Sequence, residues 1–164
     1  MSVEISVPGS KSIANRALIL NHLCGNHTEL LNLPDCDDVQ LMIQALESIK
    51  NHDSKEKLEL NTGYAGTTTR FISAIASLLP YPCTIDGNER MRQRPIKELT
   101  EALNQLGAKV KDNEGFPPIS TSNTIPHGGE ITIKGHISSQ YLSAILMITP
   151  FLKGESIINI EGDL

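Results

Sequence analysis

The sequence predicts an α/β (α+β) fold in which pseudo-threefold βαβαββ units surround buried helices, with the third unit incomplete. Three observations carry this reading. The first is an internal repeat. Gly9 recurs 57 positions on as Gly66, and at that offset Val39 meets Ile96, Met42 meets Leu99, Ala45 meets Ala102, Leu46 meets Leu103 and Ile49 meets Leu106. A third copy stands 127 positions from the first: Ser12 meets Ser139, Ala17 meets Ala144, Leu18 meets Ile145, Asn32 meets Asn159 and Leu33 meets Ile160. The second is that two kinds of helix alternate. Helices 12–24, 67–79 and 138–148 are apolar or small nearly all round, as buried helices are, whereas 36–49 and 95–106 are two-faced and belong outside. The third is that each inner helix opens on hydroxyls: Ser10 and Ser12, Thr67 to Thr69, Ser138 and Ser139.

In chain order, Val3, Ile5 and Val7 alternate as a strand that ends at Pro8-Gly9, and the first inner helix follows at once. Gly25-Asn26 closes that helix, and 28–33 reads as a short strand broken by Pro34-Asp35. Asp37 or Asp38 opens the amphipathic helix to Ile49, and the polar stretch 51–57 is a loop. Leu58 to Leu60 alternates as a strand before Gly63-Tyr64-Ala65-Gly66 and the second inner helix, which Pro80 terminates. Strand 83–86 leads to the basic stretch Arg90-Met91-Arg92-Gln93-Arg94-Pro95. The second surface helix stops at Gly107. Residues 109–111 and 119–121 form strands around the Asn113-Glu114-Gly115 turn and Pro117-Pro118, and 131–133 forms another. Gly135 turns into the third inner helix, and 156–160 is the last strand. A third surface helix would begin near 163, so the sequence predicts a piece of something longer.

Composition narrows the function classes. A chain of 164 residues with 39% hydrophobic and 20% charged residues can bury a real core. A net charge of −5 argues against nucleic acid as a partner, and no Trp with three Tyr and three Phe leaves no aromatic base-stacking platform. Cys24, Cys36 and Cys83 are odd in number without C-x-x-C spacing, which reads as free thiols in a reducing compartment, with burial favoured over a nucleophilic role. The five His show no H-x-x-x-H pairing, so no metal site is proposed. With neither a signal peptide nor a membrane-length apolar run, the expected location is cytoplasmic.

Residues 8–16 hold the chemistry. The positive end of a helix dipole disfavours cations, yet Lys11 and Arg16 occupy the first two turns of the first inner helix. Free N–H groups, hydroxyls, an ammonium and a guanidinium together suit a bound anion. The plain alternative is a strand, a turn and a helix with a solvated Lys and Arg. Threefold symmetry would point three positive helix ends to one face, which would attract a multiply charged anion.

The stretch Pro8 to Arg16 resembles the N-terminal signature of the 5-enolpyruvylshikimate-3-phosphate synthase (3-phosphoshikimate 1-carboxyvinyltransferase) family. The likeness continues through Ala65-Gly66-Thr67, Arg90 to Pro95 and Ser138-Ser139-Gln140. The family usually has Asn before Ala-Gly-Thr, and here Tyr64 takes that place. The resemblance implies transfer of the enolpyruvyl group of phosphoenolpyruvate to the 5-hydroxyl of shikimate 3-phosphate, releasing phosphate, without metal or organic cofactor. It implies an enolpyruvyl transferase-like, inside-out α/β barrel domain of about two and a half repeats over 11–164, with the strand in 1–10 belonging to a second domain.

By that resemblance Lys11, Ser12, Arg16, Ser138, Ser139 and Gln140 hold shikimate 3-phosphate, and Lys11, Gly66, Arg94 and Gln140 hold phosphoenolpyruvate. Arg90 and Arg92 stay as a solvated basic turn. No catalytic acid or base is assigned within the chain, because the family's proton-transfer groups fall beyond Leu164. The whole enzyme would be a monomer, and this piece, with an open third unit near 156–164, would be prone to self-association. The alternative of another class is a non-catalytic anion-binding or assembly module. A P-loop nucleotide enzyme is a poorer reading because G-x-x-x-x-G-K-[ST] is missing, and a serine acyl-enzyme fails because the S-x-x-K spacing is missing after Ser10 and Ser12.

Overall fold

The computed structural model describes residues 3, 5, 7–134 and 138–163. Its centre is a helix, α3 (Gly66–Ala76), in which nine of the eleven residues are buried. Five hydroxyls inside or beside it are buried too, and that of Thr68 donates to the Asp38 carbonyl. Thr62 Oγ1 and Thr69 Oγ1 share a 2.7 Å hydrogen bond, Thr69 also donates to the Ala65 carbonyl, and Ser73 donates to the Thr69 carbonyl. Ser77 donates to the Ala74 carbonyl. Each polar side chain is thus satisfied by nearby backbone or by its neighbour, which lets a helix with this many hydroxyls sit in a core.

Around α3 lie α1 (Lys11–Leu23), α2 (Asp37–Lys50), α4 (Lys97–Gln105) and α5 (Ser139–Ile148). The strands β1 (Leu58–Asn61), β2 (Cys83–Asp86), β3 (Val110–Asn113) and β4 (Phe116–Thr121) make one sheet in the order β1-β2-β4-β3, and β5 (Glu130–Lys134) pairs with β6 (Ile157–Glu161). β1 and β2 are parallel with Leu58 opposite Cys83, and β5 and β6 are parallel with Glu130 opposite Ile157. The strand–inner helix–parallel strand pattern of β1-α3-β2 therefore recurs as β5-α5-β6. β4 runs antiparallel to both its neighbours. Pro117 and Pro118 fall in the irregular part of its pairing with β3, where their lack of an N–H removes no ladder bond.

The repeat shows in the packing. Val39, Met42, Ala45, Leu46 and Ile49 of α2 are all buried, and so are their counterparts Ile96, Leu99, Ala102, Leu103 and Leu106 in and around α4. Gly107 at φ 86° ends α4 in the left-handed conformation that glycine adopts without a Cβ clash. The Asn104 side chain then clamps β3 at both polar groups of Val110, at 2.8 and 2.9 Å. α2 and α4 are two-faced, as their apolar spacing requires.

Three expectations need correction. The strand read at 28–33 is irregular, and Asn32 adopts φ 55°. A short run with apolar residues does not make a strand without a partner, and no described strand pairs with this segment. Val3, Ile5 and Val7 are exposed and outside regular structure, while Glu4 and Ser6 between them lie outside the described residues. The first inner helix is buried on one face only: Ala14, Asn15 and Ile19 are buried, but Ile13 is 70% exposed and Leu20 44%. Its inner face meets α2 and α3, and no described element covers the other. Among the inner helices α3 is covered almost all round, and α5 leaves Leu146 half exposed. The turn expected at Gly135 lies outside the described residues. No helix among those described is long and apolar enough to cross a membrane.

The three thiols test this packing. Cys24 is exposed, whereas Cys83 on β2 is buried and desolvation pushes its thiol up to about 11. At pH 8, where Cys83 is both covered and protonated, a disulfide exchange reagent should label Cys24 promptly and Cys83 only on unfolding. Mass mapping of labelled peptides reads the order.

Candidate functional site

The five helices divide by the charge of their first turns. α2 opens on Asp37 and Asp38 and α4 on Glu98, so each surface helix neutralises its own positive end. α1, α3 and α5 have no acidic residue in the first turn. α1 is capped weakly by Ser10, whose Oγ accepts from the Ile13 amide at 3.5 Å. α5 is capped by Ser138, whose Oγ accepts from the Gln140 amide at 3.2 Å. α3 begins after Ala65 with no side-chain cap at all.

A chain of contacts ties these ends together. Lys11 Nζ lies 3.4 Å from Asp38 Oδ2, joining the starts of α1 and α2. Thr68 Oγ1, in the first turn of α3, donates to the Asp38 carbonyl at 3.1 Å. From α3, Arg70 Nη1 donates to Gln140 Oε1 at 2.5 Å in the first turn of α5. Tyr141 next to it is buried and donates its hydroxyl to the Pro95 carbonyl at 2.6 Å, which fixes the end of the basic stretch against α5. The starts of the inner helices therefore share one face.

Arg16 links the same helices one turn further in. Its Nη1 donates to the Ser12 carbonyl at 3.0 Å and its Nη2 to Ser143 Oγ at 2.9 Å, while its guanidinium carbon lies 5.3 Å from the Phe71 ring centre. Ser143 Oγ in turn donates to the Ser139 carbonyl at 2.8 Å. Arg16 and Ser143 are equivalent positions of the repeat, 127 apart, and equivalent residues touch where a symmetry axis passes between them. The Ser12 and Ser139 side chains themselves are exposed.

Gly66 stands at the first position of α3. A Cβ there would lie 2.6 Å from Arg94 Nη1 and 3.4 Å from Arg70 Nη1, so two guanidinium groups close on the bare backbone. Among the described residues no carboxylate pairs with Arg16, Arg70 or Arg94. Arg92 differs. It forms a two-pronged pair with Asp86, Nε to Oδ1 at 3.0 Å and Nη2 to Oδ2 at 2.5 Å, and those hydrogen bonds hold the Asp86 carboxyl below the usual range. Arg92 thus pins the basic stretch to β2, and Arg90 is exposed.

The structure brings Gly66, Arg94 and Gln140 together, joins Ser12, Arg16 and Ser139 through Ser143, and leaves Lys11 held by Asp38. Arg70 was not singled out by sequence reasoning. The available signal was its place, a lone cation one turn past Gly66 in an otherwise apolar or hydroxyl-bearing helix. Tyr64, where the resembling family has Asn, donates to Asp37 at the start of α2, and that bond raises its phenol above the ordinary value. No group of His, Cys, Asp and Glu among the described residues is arranged to hold a metal ion.

Comparison with known proteins identifies the family. The family model of EPSP synthase (3-phosphoshikimate 1-carboxyvinyltransferase) matches residues 1–164. A 3-phosphoshikimate 1-carboxyvinyltransferase of Bacteroides fragilis is 46% identical over 166 residues, which take in 100% of this chain and 39% of that protein. One of Shewanella denitrificans is 40% identical over 182 residues, 98% of this chain and 42% of that protein. The chain spans about two fifths of the length of these curated relatives. EPSP synthase from Acinetobacter baumannii superposes with a TM-score of 0.81 at 20% identity, covering 98% of this chain and 41% of that one, a likeness of fold. With the family match running over its whole length, the chain belongs to the EPSP synthase family.

Proposed function

We propose that this chain supplies the phosphate-binding half of an enolpyruvyl transfer site, one that moves the enolpyruvyl group of phosphoenolpyruvate to the 5-hydroxyl of shikimate 3-phosphate and releases phosphate. The observation that carries the reading is the charge pattern. Three helix starts without acids share a face with Arg16, Arg70 and Arg94, none of which has a described carboxylate partner. Such a surface is stabilised when anions occupy it. Both substrates of the family carry phosphate and carboxylate, and two of them fit a site with more than one centre of positive charge.

In this reading Lys11, Ser12, Arg16, Ser138, Ser139 and Gln140 take shikimate 3-phosphate, with the Ser138–Ser139 hydroxyls on its 3-phosphate. Lys11, Gly66, Arg94 and Gln140 take phosphoenolpyruvate, the glycine by close approach of its backbone. The Lys11–Asp38 pair at 3.4 Å is half exposed, weak enough to yield to a ligand. What these groups do chemically is position two anions and stabilise charge that develops as the carbon–oxygen bond forms. Transfer also needs a base for the 5-hydroxyl and an acid for the methylene carbon. We assign those to segments that the longer relatives carry. The chain is a cytoplasmic protein in this account.

Calorimetric titration with shikimate 3-phosphate, alongside phosphate release from the two substrates together, tests the reading. Binding without turnover by the 164-residue chain, and turnover once it is extended to the length of its relatives, is the expected pair of results. Turnover by the short chain near the rate of the extended one would contradict the assignment of a half-site. Failure of shikimate 3-phosphate to bind either form would contradict the function.

Two substitutions carry further expectations. Arg16→Ala should weaken shikimate 3-phosphate by about 1.5–3 kcal/mol, the worth of a hydrogen bond to a charged group. The sequence alone suggests unchanged folding, but the bond to Ser143 and the Phe71 stacking predict a lowered melting temperature as well. Gly66→Ala places a methyl 2.6 Å from Arg94 Nη1, and the guanidinium, being the far end of a flexible side chain, must shift. Phosphoenolpyruvate should then bind at least about tenfold more weakly, 1.4 kcal/mol, with shikimate 3-phosphate little changed. Titrating each ligand separately reads the difference.

A further inference from the structure

Arg70 is the basic residue of α3, one turn from its start and part-buried. Its Nη1 donates to Gln140 Oε1 at 2.5 Å. The guanidinium carbon stands 5.2 Å from the centre of the Tyr141 ring, and Tyr141 is buried and held by its hydroxyl bond to the Pro95 carbonyl. Nε is buried without a hydrogen-bond partner. So the guanidinium is located by packing, and the Gln140 amide is its hydrogen-bond acceptor.

A glutamine amide has two faces of opposite polarity, a carbonyl oxygen that accepts and an NH2 that donates. Beside an anion the choice matters, since a carbonyl turned to a phosphate or carboxylate repels it and an NH2 turned to it binds. A solvated glutamine flips between the two. Arginine breaks the tie, because a guanidinium offers donors and no acceptor. Turning the amide over would set the Gln140 NH2 against Arg70 Nη1, donor against donor at 2.5 Å.

We propose that Arg70 is a positioning residue whose contact with Gln140 Oε1 fixes the amide with its NH2 toward the anion site. Arg70 acts on the ligand through Gln140, rather than as one more cation touching it. This rests on the function proposed above, in that Gln140 is taken to meet the bound anions. It deepens that function by naming what orients one of the ligand's donors.

The test has a part that needs no ligand. In the free chain labelled with nitrogen-15, relaxation of the Gln140 side-chain NH2 group should report an ordered amide with motion of small amplitude. Arg70→Met should raise its mobility to that of a solvated glutamine, and Arg70→Lys, which keeps a donor and the charge, should restore part of the order. The second part is a double-mutant cycle on shikimate 3-phosphate affinity. Arg70→Met should weaken binding about tenfold in the wild-type background and hardly at all once Gln140 is Ala. Gln140→Glu, which keeps the acceptor and loses the donor, should abolish binding without lowering the melting temperature.

Losses that add in the double variant would overturn the proposal and make Arg70 a direct ligand. A Gln140 amide as mobile in the free chain as a solvated glutamine would overturn it as well. If the wild-type chain binds no shikimate 3-phosphate, the proposed function fails, while the amide signal still decides whether Arg70 orients Gln140.

Discussion

The structure turns on unneutralised positive charge at one end of its inner helices. Every helix start exposes backbone N–H groups and the positive end of a dipole, and a protein ordinarily answers that charge with an acidic side chain in the first turn. α2 and α4 do so with Asp37, Asp38 and Glu98. α1, α3 and α5 do not, and Arg16, Arg70 and Arg94 are gathered around those same ends. Such an arrangement opposes the folded state of the free chain and favours one with bound anions. That contrast between inner and outer helices separates a ligand site from an ordinary basic surface.

The rest of the fold keeps those ends in register. α3 is the fixed member, buried and internally hydrogen-bonded through Thr62, Thr69 and Ser73. Close backbone approach locks the loops at the ends of β1 and β2 to each other: a Cβ on Gly87 would lie 2.3 Å from the Gly63 carbonyl oxygen. Arg92 then anchors the basic stretch to Asp86 and Tyr141 anchors Pro95, leaving Arg94 between them to reach Gly66. The two arginines flanking Gln93 in the sequence thus have separate duties, one tying the stretch to the sheet and the other facing the glycine.

Much of this was legible in the sequence, for reasons that are local. Helix periodicity and the 57-residue offset singled out Val39 and Ile96, Met42 and Leu99, and their neighbours, all of which are buried, because an apolar face has to be covered whatever covers it. The clustering of Gly66, Arg94 and Gln140 was reached through the resemblance. What sequence could not show depends on partners far along the chain. Residues 28–33 read as a short strand but have no described strand to pair with. Ile13 and Leu20 look like core residues in a helix whose outer side no described element covers. Arg70 counted as one polar position in an apolar helix, and its meaning comes from Gln140, 70 residues away.

The central claim is that the three inner helix starts form one site for the two anions. It is tested most directly by titrating the nitrogen-15 labelled chain with shikimate 3-phosphate while following backbone amides and arginine Nε signals. The account predicts that amides in the first turns of α1 and α5, together with the Arg16 Nε signal, shift with one common midpoint, and that the first turn of α3 and the Arg94 Nε signal follow when phosphoenolpyruvate is added. Shifts confined to one helix start, midpoints that differ between α1 and α5, or an α3 start untouched by both ligands would contradict it.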